Sequence, residues 1–262
     1  MADPGAFSPG QDRWLAGLGR VREVVRQALV ARQLAAHLPA RAPLRVLDVG
    51  CGQGTQAIAL ARLGHAVTGV DSSREMLSAA ARAAGSEPEE VRARLRFERG
   101  DALGLGAVHR RGYELVCCHG VAMYLPALPP LIGALVGAAR EGAVISLLTR
   151  NRAGIAMRAG MQSDWQGALD GFEATHYTNR LGVRRARADE PGAVRSALAA
   201  AGAQPVAWYG VRLFTDHWGD EDPPEDLERL LAAEEEAGRR DPYRALAALT
   251  HTIAVVSRPR HG

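Results

Sequence analysis

The sequence predicts an α/β protein with a doubly wound, seven-stranded sheet, N-terminal helices and an inserted lid segment. Three observations support this prediction. Short β-rich runs alternate with alanine-rich helical runs from Leu44 onward, a glycine-rich turn joins the first run to the first helix, and acidic residues lie at the ends of the first three runs. This alternation is typical of parallel strands joined by crossover helices.

The predicted elements follow one another along the chain. Residues 11–38 carry apolar residues at helical spacing and predict a helix or helix pair. Five strands are predicted by LRVLDV, AVTGVD, LRFERGD, YELVCCH and the apolar run 143–148, which follows a helix at 128–140. A helix in PGAVRSALAAAGA, a strand in QPVAWYGVRLF, an acidic helix around 225–236 and a strand near 250–256 complete the chain. The last two strands are expected to form a hairpin-like antiparallel edge.

We expect a single domain over residues 1–262. Its parts are an N-terminal helical cap (11–38), a ligand-binding core (44–149), a substrate-side insertion (150–190) and C-terminal helices and strands (191–262). The insertion breaks the alternation, and so long a segment inside a compact domain is usually a lid or a substrate-binding element. Its Trp165 and Phe172 are predicted either to cap an acceptor pocket or to pack a lid helix.

Composition excludes several classes of protein. The chain has 262 residues, of which 47% are hydrophobic and 23% charged, so it is neither disordered nor fibrous. It lacks a signal-like N-terminus and any apolar run long enough for a membrane span, which predicts a cytoplasmic protein without a membrane partner. The three cysteines, Cys51, Cys117 and Cys118, form no CxxC pair, and we expect reduced thiols and no metal site.

The glycine-rich turn lies in VLDVGCGQGT, residues 46–55, and contains Gly50, Gly52 and Gly54. Glycines here allow tight turns and a close approach of ligand to the N-terminus of the following helix. A dinucleotide-binding G-x-G-x-x-G loop would place glycine or alanine at Thr55, so the pattern is D-x-G-x-G-x-G instead. Asp48 repels a pyrophosphate and attracts an ammonium group.

Two further acids follow the next strands. Asp71, with the adjacent Ser72, ends the second predicted strand, where a carboxylate can accept hydrogen bonds from both hydroxyls of a ribose. Asp101 follows the third strand, where its side chain and the backbone N–H of Ala102 could bind an adenine edge. Together with Asp48, these residues predict one crevice for an amino acid, a ribose and an adenine.

This combination resembles the class I S-adenosylmethionine (SAM)-dependent methyltransferases over about residues 44–150. The resemblance implies a Rossmann-like fold, with SAM bound by the core at 44–149. Shorter stretches resemble the bacterial tRNA 5-carboxymethoxyuridine methyltransferases, which use SAM to esterify the carboxylate of a modified wobble uridine. These stretches are RQA at 26–28, CHGV at 118–121, SLLTRNRAGIAM at 146–157, GVRLFTD at 210–216 and DPY at 241–243.

The narrower resemblance implies roles for single residues. Arg26 would lie near the SAM carboxylate, Gly50 and Cys51 would line the methionine end, Asp71 would hold the ribose, and His119 would contact the cofactor. Asn151 and Arg212 would lie on the substrate side. The chain departs from the family's lysine-rich run, having THYTNRLGVRRARAD with Arg180, Arg184, Arg185 and Arg187 in its place.

The chemistry leaves two acceptors open. A carboxylate is ionised at neutral pH, requires no general base, and needs a positive clamp such as Arg150, Arg152 or Arg212. A phenol or amine on a small molecule would need a base, for which His119 is the candidate. The partner is therefore predicted to be tRNA, gripped by Arg184 and Arg185 within the arginine run, or a small-molecule acceptor if that run is a solvated surface.

Overall fold

Nine strands are present in the computed structural model, which describes residues 11–38, 43–105, 109 and 112–257. They are β1 (Arg45–Val49), β2 (Ala66–Asp71), β3 (Leu95–Arg99), β4 (Tyr113–His119), β5 (Ala139–Arg150), β6 (His176–Tyr177), β7 (Ala186–Arg187), β8 (Ala203–Val211) and β9 (Leu249–Val256). Seven of them form one sheet in the order β3-β2-β1-β4-β5-β9-β8, and β6 and β7 form a separate two-stranded pair.

The described helices alternate with the first five strands and then continue through the insertion. They are α1 (Gln11–Ala16), α2 (Val21–Ala35), α3 (Thr55–Arg62), α4 (Arg74–Gly85), α5 (Glu89–Arg92), α6 (Leu128–Ala138), α7 (Ala153–Met161), α8 (Trp165–Glu173), α9 (Pro191–Ala200), α10 (Leu227–Arg239) and α11 (Tyr243–Leu246). The predicted N-terminal helix pair is therefore confirmed as α1 and α2. No helix among the described ranges is long and apolar enough to cross a membrane.

The sheet is parallel from β3 to β5 and antiparallel beyond it. β1 pairs in parallel with β2 and β4, and β5 pairs in parallel with β4. β9 is antiparallel to both β5 and β8 and lies between them. The seven-stranded α/β prediction and its antiparallel end are confirmed. β9 takes the inner position, consistent with its nearly continuous burial, whereas most residues of β8 at the edge are at least partly exposed.

Helices cover both faces of the sheet. Successive residues of a strand point to opposite faces, so Leu47 packs in the cluster that contains Leu131 and Leu135 of α6, whereas Val46 packs with Leu60 of α3. The carboxyl ends of β1, β2 and β4 consequently meet at one edge of the sheet. Apart from Arg26, which lies on α2, the predicted cofactor residues lie at or just after the carboxyl ends of the strands.

The insertion at 150–190 folds into α7, α8 and the β6–β7 pair. α8 packs closely on α7, because Gly171 has no side chain and a Cβ there would lie 2.8 Å from the Cα of Ala156. Trp165 and Phe172 are each 68% exposed on α8, so the prediction that they cap a pocket is not supported. A different part of the insertion, residues 177–181, lines the cavity that lies at the strand ends.

Candidate cofactor and substrate site

A cavity of about 690 Å³ opens at the carboxyl ends of the parallel strands. It is lined by ten of the eleven predicted cofactor residues: Arg26, Asp48, Gly50, Cys51, Gly52, Asp71, Ser72, Asp101, Ala102 and His119. Gly54 lies outside the lining and precedes α3 with φ 85°. The acids and glycines that the sequence places far apart are thus brought to one crevice, as expected where parallel strands end.

The glycine turn is tied to the end of β2. The amide nitrogens of Gly50 and Cys51 donate to the carbonyl of Val70, at 2.7 and 3.1 Å. Gly50 and Gly52 have φ values of 68° and 55°, in the left-handed region that favours glycine. A Cβ on Gly50 would overlap the side chain of Val121, so the turn passes too close to the loop after β4 for any side chain.

Asp48 is buried beneath this turn. It is 2% exposed, and its Oδ2 has no hydrogen-bond partner within the described part of the chain. Burial, with repulsion from Asp71, raises the pKa of Asp48 to about 7, although the positive charge of Arg26 opposes the shift. A cation bound beside this carboxylate would satisfy the oxygen and favour its ionised form.

α1 and α2 close one side of the cavity. The indole N–H of Trp14 donates to Oε1 of Gln53 at 2.6 Å, which joins α1 to the glycine turn. The guanidinium of Arg26 lies 5.3 Å from the ring centre of Trp14 and is paired with Glu23 at 2.7 Å. The predicted cap therefore contributes residues to the site as well as covering it.

His119 lies at the end of β4. Burial lowers the pKa of its imidazole well below the usual value, and His251 and Arg26 lower it further. The ring is consequently neutral at physiological pH. A buried imidazole that resists protonation is a poor general base, because it does not readily accept the proton of an acceptor group.

Sequence reasoning named Arg150 and Arg212 but missed the cluster in which they surround one carboxylate together with Arg22 and Arg158. Asp216 lies 2.9 Å from Nη2 of Arg22, 3.1 Å from Nη1 of Arg150, 3.2 Å from Nη2 of Arg212 and 3.6 Å from Nη1 of Arg158. Burial opposes the charge on Asp216, but the four guanidinium groups outweigh it and hold the pKa of that carboxyl well below its usual range. We call these five residues the arginine cluster.

The arginine cluster carries more positive charge than its carboxylates neutralise. Arg212 also approaches Glu23, at 3.6 Å, so the charged network continues to Arg26. Five arginines then face two carboxylates, an excess of three formal positive charges, and all five line the cavity. Burial and the neighbouring Arg212 lower the pKa of Arg22 to about 9, although Asp216 opposes the shift.

Several donors of the arginine cluster have no acceptor among the described residues. They are Nε and Nη1 of Arg22, Nε of Arg150 and Nε of Arg212. Arg212 also has a φ of 61°, a left-handed conformation that costs a non-glycine residue about 1 kcal/mol or more. Buried, unpaired donors beside a cavity are the features expected of a site for a bound anion.

The insertion supplies the opposite wall. The ring of Tyr177 lies 5.1 Å from the guanidinium carbon of Arg150, and its hydroxyl donates to the sulfur of Met123 at 3.6 Å. Asn179 donates to the hydroxyl of Tyr124 at 3.2 Å, and Arg180 pairs with Asp220. The segment is therefore fixed over the arginine end of the cavity.

Some predicted substrate residues lie elsewhere. Asn151 is fully buried and donates to the carbonyls of Ala245 and Ala247, at 2.9 and 2.7 Å, so its substrate-side role has no geometric support. Arg152 lies outside the lining and pairs with Glu190 at 2.7 Å. Arg150 and Arg212 do line the cavity.

The predicted arginine run divides into three environments. Arg180 lines the cavity, Arg184 and Arg185 are exposed between β6 and β7, and Arg187 is buried. Arg187 lies 3.0 Å from Asp189, so it is occupied by an internal ion pair rather than available to a nucleic acid. The exposed arginines of this run are therefore Arg184, Arg185 and Arg180, and Arg180 is paired with Asp220.

Comparison with known proteins assigns the class. Residues 46–142 match the family described as a methyltransferase domain. The tRNA 5-carboxymethoxyuridine methyltransferase of Escherichia coli (strain K12) is 28% identical over 239 residues, which are 90% of each chain. A ubiquinone biosynthesis O-methyltransferase of Psychrobacter arcticus is 34% identical over 108 residues, or 41% of each chain.

The fold is shared with solved methyltransferases. A solved SAM-dependent methyltransferase from Methanosarcina mazei superimposes with a TM-score of 0.60 at 15% sequence identity, covering 87% of this chain and 98% of that one. The matched domain and the relatives identify the protein as a SAM-dependent methyltransferase, and it resembles the tRNA 5-carboxymethoxyuridine methyltransferase over most of its length.

Proposed function

We propose that this enzyme methylates the carboxylate of 5-carboxymethoxyuridine at the wobble position of a tRNA. The observation that carries the proposal is the excess of three positive charges in the arginine cluster and its Arg26–Glu23 extension, all at one cavity. A carboxylate acceptor supplies the negative charge that these buried donors lack. The resemblance to the tRNA enzyme over 90% of both chains supports this acceptor.

The polar groups at the cofactor end of the cavity suit the chemical groups of SAM. The unpartnered oxygen of Asp48 suits the ammonium group, and Gly50 and Cys51 of the glycine turn line the cavity beside it. We assign Arg26 to the methionine carboxylate, Asp71 and Ser72 to the ribose, Asp101 and Ala102 to the adenine, and Cys51, Gly52 and His119 to the lining. When bound, SAM supplies a methyl group on a positively charged sulfur.

The acceptor end would orient and desolvate the nucleophile. We assign Arg150 and Arg212 to the acceptor carboxylate, since both line the cavity and each has an unpaired buried donor. A planar guanidinium holds a carboxylate in a defined orientation, and alignment of the reacting atoms contributes most to an in-line displacement. The carboxylate loses no proton in this reaction, so no catalytic base is required.

The protonation states of the cavity favour this acceptor over a phenol. Methylation of a phenol or amine needs a group that takes up a proton near neutral pH. Burial lowers the pKa of His119 and raises that of Tyr124, the latter beyond the physiological range. Asp48, with a pKa of about 7, is assigned to the cofactor ammonium. A small-molecule O- or N-methyltransferase is therefore the second candidate, supported by the ubiquinone relative over 41% of the chain.

Exposed positive charge near the cavity supports a tRNA partner. Arg184 and Arg185 lie on the same hairpin as Tyr177 and Arg180, which line the cavity. A tRNA inserting its wobble nucleotide would bring backbone phosphates close to these side chains, and such contacts dominate nucleic-acid affinity. A tRNA-modifying enzyme of this kind would act in the cytoplasm.

The test is transfer of labelled methyl from SAM to bulk tRNA taken from a strain that lacks the gene. Nucleoside digestion and mass spectrometry should place the label in a base-hydrolysable ester of a wobble uridine. Asp48→Ala provides the control, because it should abolish transfer through loss of SAM. Unlabelled tRNA, together with SAM binding shown by calorimetry, would contradict the proposal and favour the small-molecule acceptor.

A further inference from the structure

A line of hydrogen-bonded side chains runs from the cavity into the sheet and out to α2. Nε2 of His119 lies 2.8 Å from Oγ of Ser146, and the same oxygen lies 2.8 Å from Nε2 of His251. Nδ1 of His251 lies 2.8 Å from Oε1 of Gln33. Ser146 and His251 are fully buried and Gln33 is 2% exposed, so water does not compete for these bonds. We call these four residues the relay.

The direction of each bond follows from the far end of the relay. Gln33 donates from Nε2 to the carbonyl of Gly210 at 3.4 Å, which turns its Oε1 toward His251. An amide oxygen only accepts, so Nδ1 of His251 must carry the proton. Burial lowers the pKa of His251 to about 3, so the ring is neutral and its Nε2 has a lone pair.

The donor and the acceptor of each remaining hydrogen bond then follow one after the other. The hydroxyl of Ser146 must donate to the lone pair on Nε2 of His251. Its oxygen therefore accepts from His119, whose Nε2 must carry a proton. Because His119 is also neutral, its Nδ1 has no proton and offers a lone pair.

We propose that Ser146, His251 and Gln33 are positioning residues that hold His119 in the Nε2–H form, so that its Nδ1 accepts a hydrogen bond from the ammonium group of SAM. The inference rests on the proposed placement of His119 at the cofactor end. Asp48 and Cys117 are paired across β1 and β4, and His119 lies two residues beyond Cys117 on the same strand. The carboxylate of Asp48 and the imidazole of His119 can thus act on one cation.

The alternative tautomer explains why positioning is needed. With the proton on Nδ1, His119 would present an N–H to a group that is itself a donor, and the hydrogen bond would be lost. A free imidazole populates both neutral forms, whereas the relay stabilises one. Buried residues of the sheet therefore determine whether Nδ1 of His119, at the cavity surface, donates or accepts a hydrogen bond.

The test uses the full-length protein with ¹⁵N-labelled histidine. Two-bond ¹H–¹⁵N correlations should report His119 as the Nε2–H form in the wild type. Ser146→Ala should give a mixture of tautomers and lower SAM affinity by about tenfold, the scale of one hydrogen bond to a charged group. Ser146→Thr restores the hydroxyl and should recover both readouts.

Two further variants isolate the relay. Gln33→Met removes the accepting oxygen far from the cavity, and it should shift the tautomers of His251 and His119 even if Ser146→Ala fails to fold. Thr252→Val is the matched control, because Thr252 is a buried hydroxyl next to His251 on β9 that takes no part in the relay. It should change neither the tautomer nor SAM affinity.

Two results would overturn the proposal. One is an unchanged Nε2–H form of His119 in both Ser146→Ala and Gln33→Met, and the other is a changed tautomer with unaltered SAM affinity. Neither readout involves the acceptor, so failure to methylate tRNA would count against the proposed function alone. An absence of any change in the His119 signals on adding SAM would contradict its placement at the cofactor end.

Discussion

The carboxylate of Asp71 accepts a hydrogen bond from the backbone amide of Gly52, at 2.9 Å from its Oδ2. Its other oxygen accepts from the amide of Ser73, also at 2.9 Å. One side chain at the end of β2 therefore fixes both the glycine turn and the start of α4. Because we also assign Asp71 to the ribose of SAM, its replacement should act on the cofactor in two ways.

We expect Asp71→Ala to lower SAM affinity by about 10- to 100-fold, since hydrogen bonds to a charged group contribute about 1.5–3 kcal/mol. Asp71→Asn keeps one accepting oxygen and should fall between the wild type and the alanine variant. Titration calorimetry measures all three. Glu87→Ala, which removes a carboxylate paired with Arg62 at the surface, should leave affinity unchanged. Equal affinities in all variants would contradict the assignment of Asp71.

Asp48→Asn should stabilise the SAM-free protein at high pH. Burial and Asp71 raise the pKa of Asp48 to about 7 in the folded state, against 3.8 as its ordinary value. The folded protein binds the proton of Asp48 more tightly than the unfolded chain does. The stabilisation that results from this protonation is fully present below pH 4 and is lost as the pH rises toward 7. The neutral asparagine avoids this loss.

Thermal unfolding checks the Asp48 prediction. The Tm of Asp48→Asn should exceed that of the wild type by roughly 5 °C at pH 8, and the difference should close toward pH 4. SAM affinity should fall at the same time, since an amide cannot neutralise an ammonium group. A Tm difference that does not vary with pH would show that ionisation of Asp48 carries no such cost.

Asp216→Asn should destabilise the protein strongly. It leaves three buried arginines and the half-buried Arg158 without their shared carboxylate, and breaking a buried ion pair costs about 3–5 kcal/mol. The low folded pKa of Asp216 means that this stabilisation is present above pH 4 and is lost as the pH falls below it. Denaturant unfolding at pH 7 and at lower pH measures the effect.

The matched control for Asp216 is Asp220→Asn, which removes an exposed partner of Arg180. An exposed pair contributes about 0–1 kcal/mol, so the control should barely change the free energy of unfolding. Similar losses in the two variants would mean that the arginine cluster does not depend on its central carboxylate.

Arg212→Lys should separate acceptor binding from cofactor binding. Lysine keeps the charge but lacks the planar fork, and we expect kcat/KM for tRNA esterification to fall by about 10- to 100-fold with SAM affinity unchanged. Arg152→Lys makes the same change outside the cavity and serves as the control. A loss of SAM affinity as large as the loss of kcat/KM would indicate that Arg212 binds the cofactor and not the acceptor.

The double variant Arg184→Ala, Arg185→Ala should weaken tRNA binding and leave SAM affinity intact. Removing two phosphate contacts should lower the dependence of log K on log salt by about two. Filter binding at several salt concentrations measures this slope. The control removes Arg239 of α10 and the adjacent Arg240, which form ion pairs with Glu235 and Glu236 of that helix. The same change of slope in both variants would indicate a general charge effect.

The cofactor end was predictable because its signals are local. The residues from Asp48 to Thr55 form a strand, a turn and a helix start, and Asp71 follows at the end of the next strand. Parallel pairing then brings these acids together without further information. The seven strands were predictable for the same reason, since each has its own apolar pattern.

The acceptor end was predictable only in part, because Arg150 and Arg212 were candidates but their cluster was not. Arg22 and Asp216 are 194 residues apart, and their contact depends on how α2 packs against the segment after β8. Nothing near either residue marks it as part of a buried cluster. Ser146 and His251 do carry a weak signal, as polar residues within apolar strands, but only the antiparallel register of β5 and β9 shows that they meet.

The inner position of β9 has a consequence for protein synthesis. On the ribosome, β5 and β8 both emerge before the strand that joins them, so β8 has no neighbour in the sheet until β9 is made. The nascent chain then carries a complete glycine turn but lacks His251 and Leu249, one a member of the relay and the other a residue of the cavity wall. The cavity wall and the relay are therefore completed only when β9 has been made, and one edge of β5 stays unpaired until then.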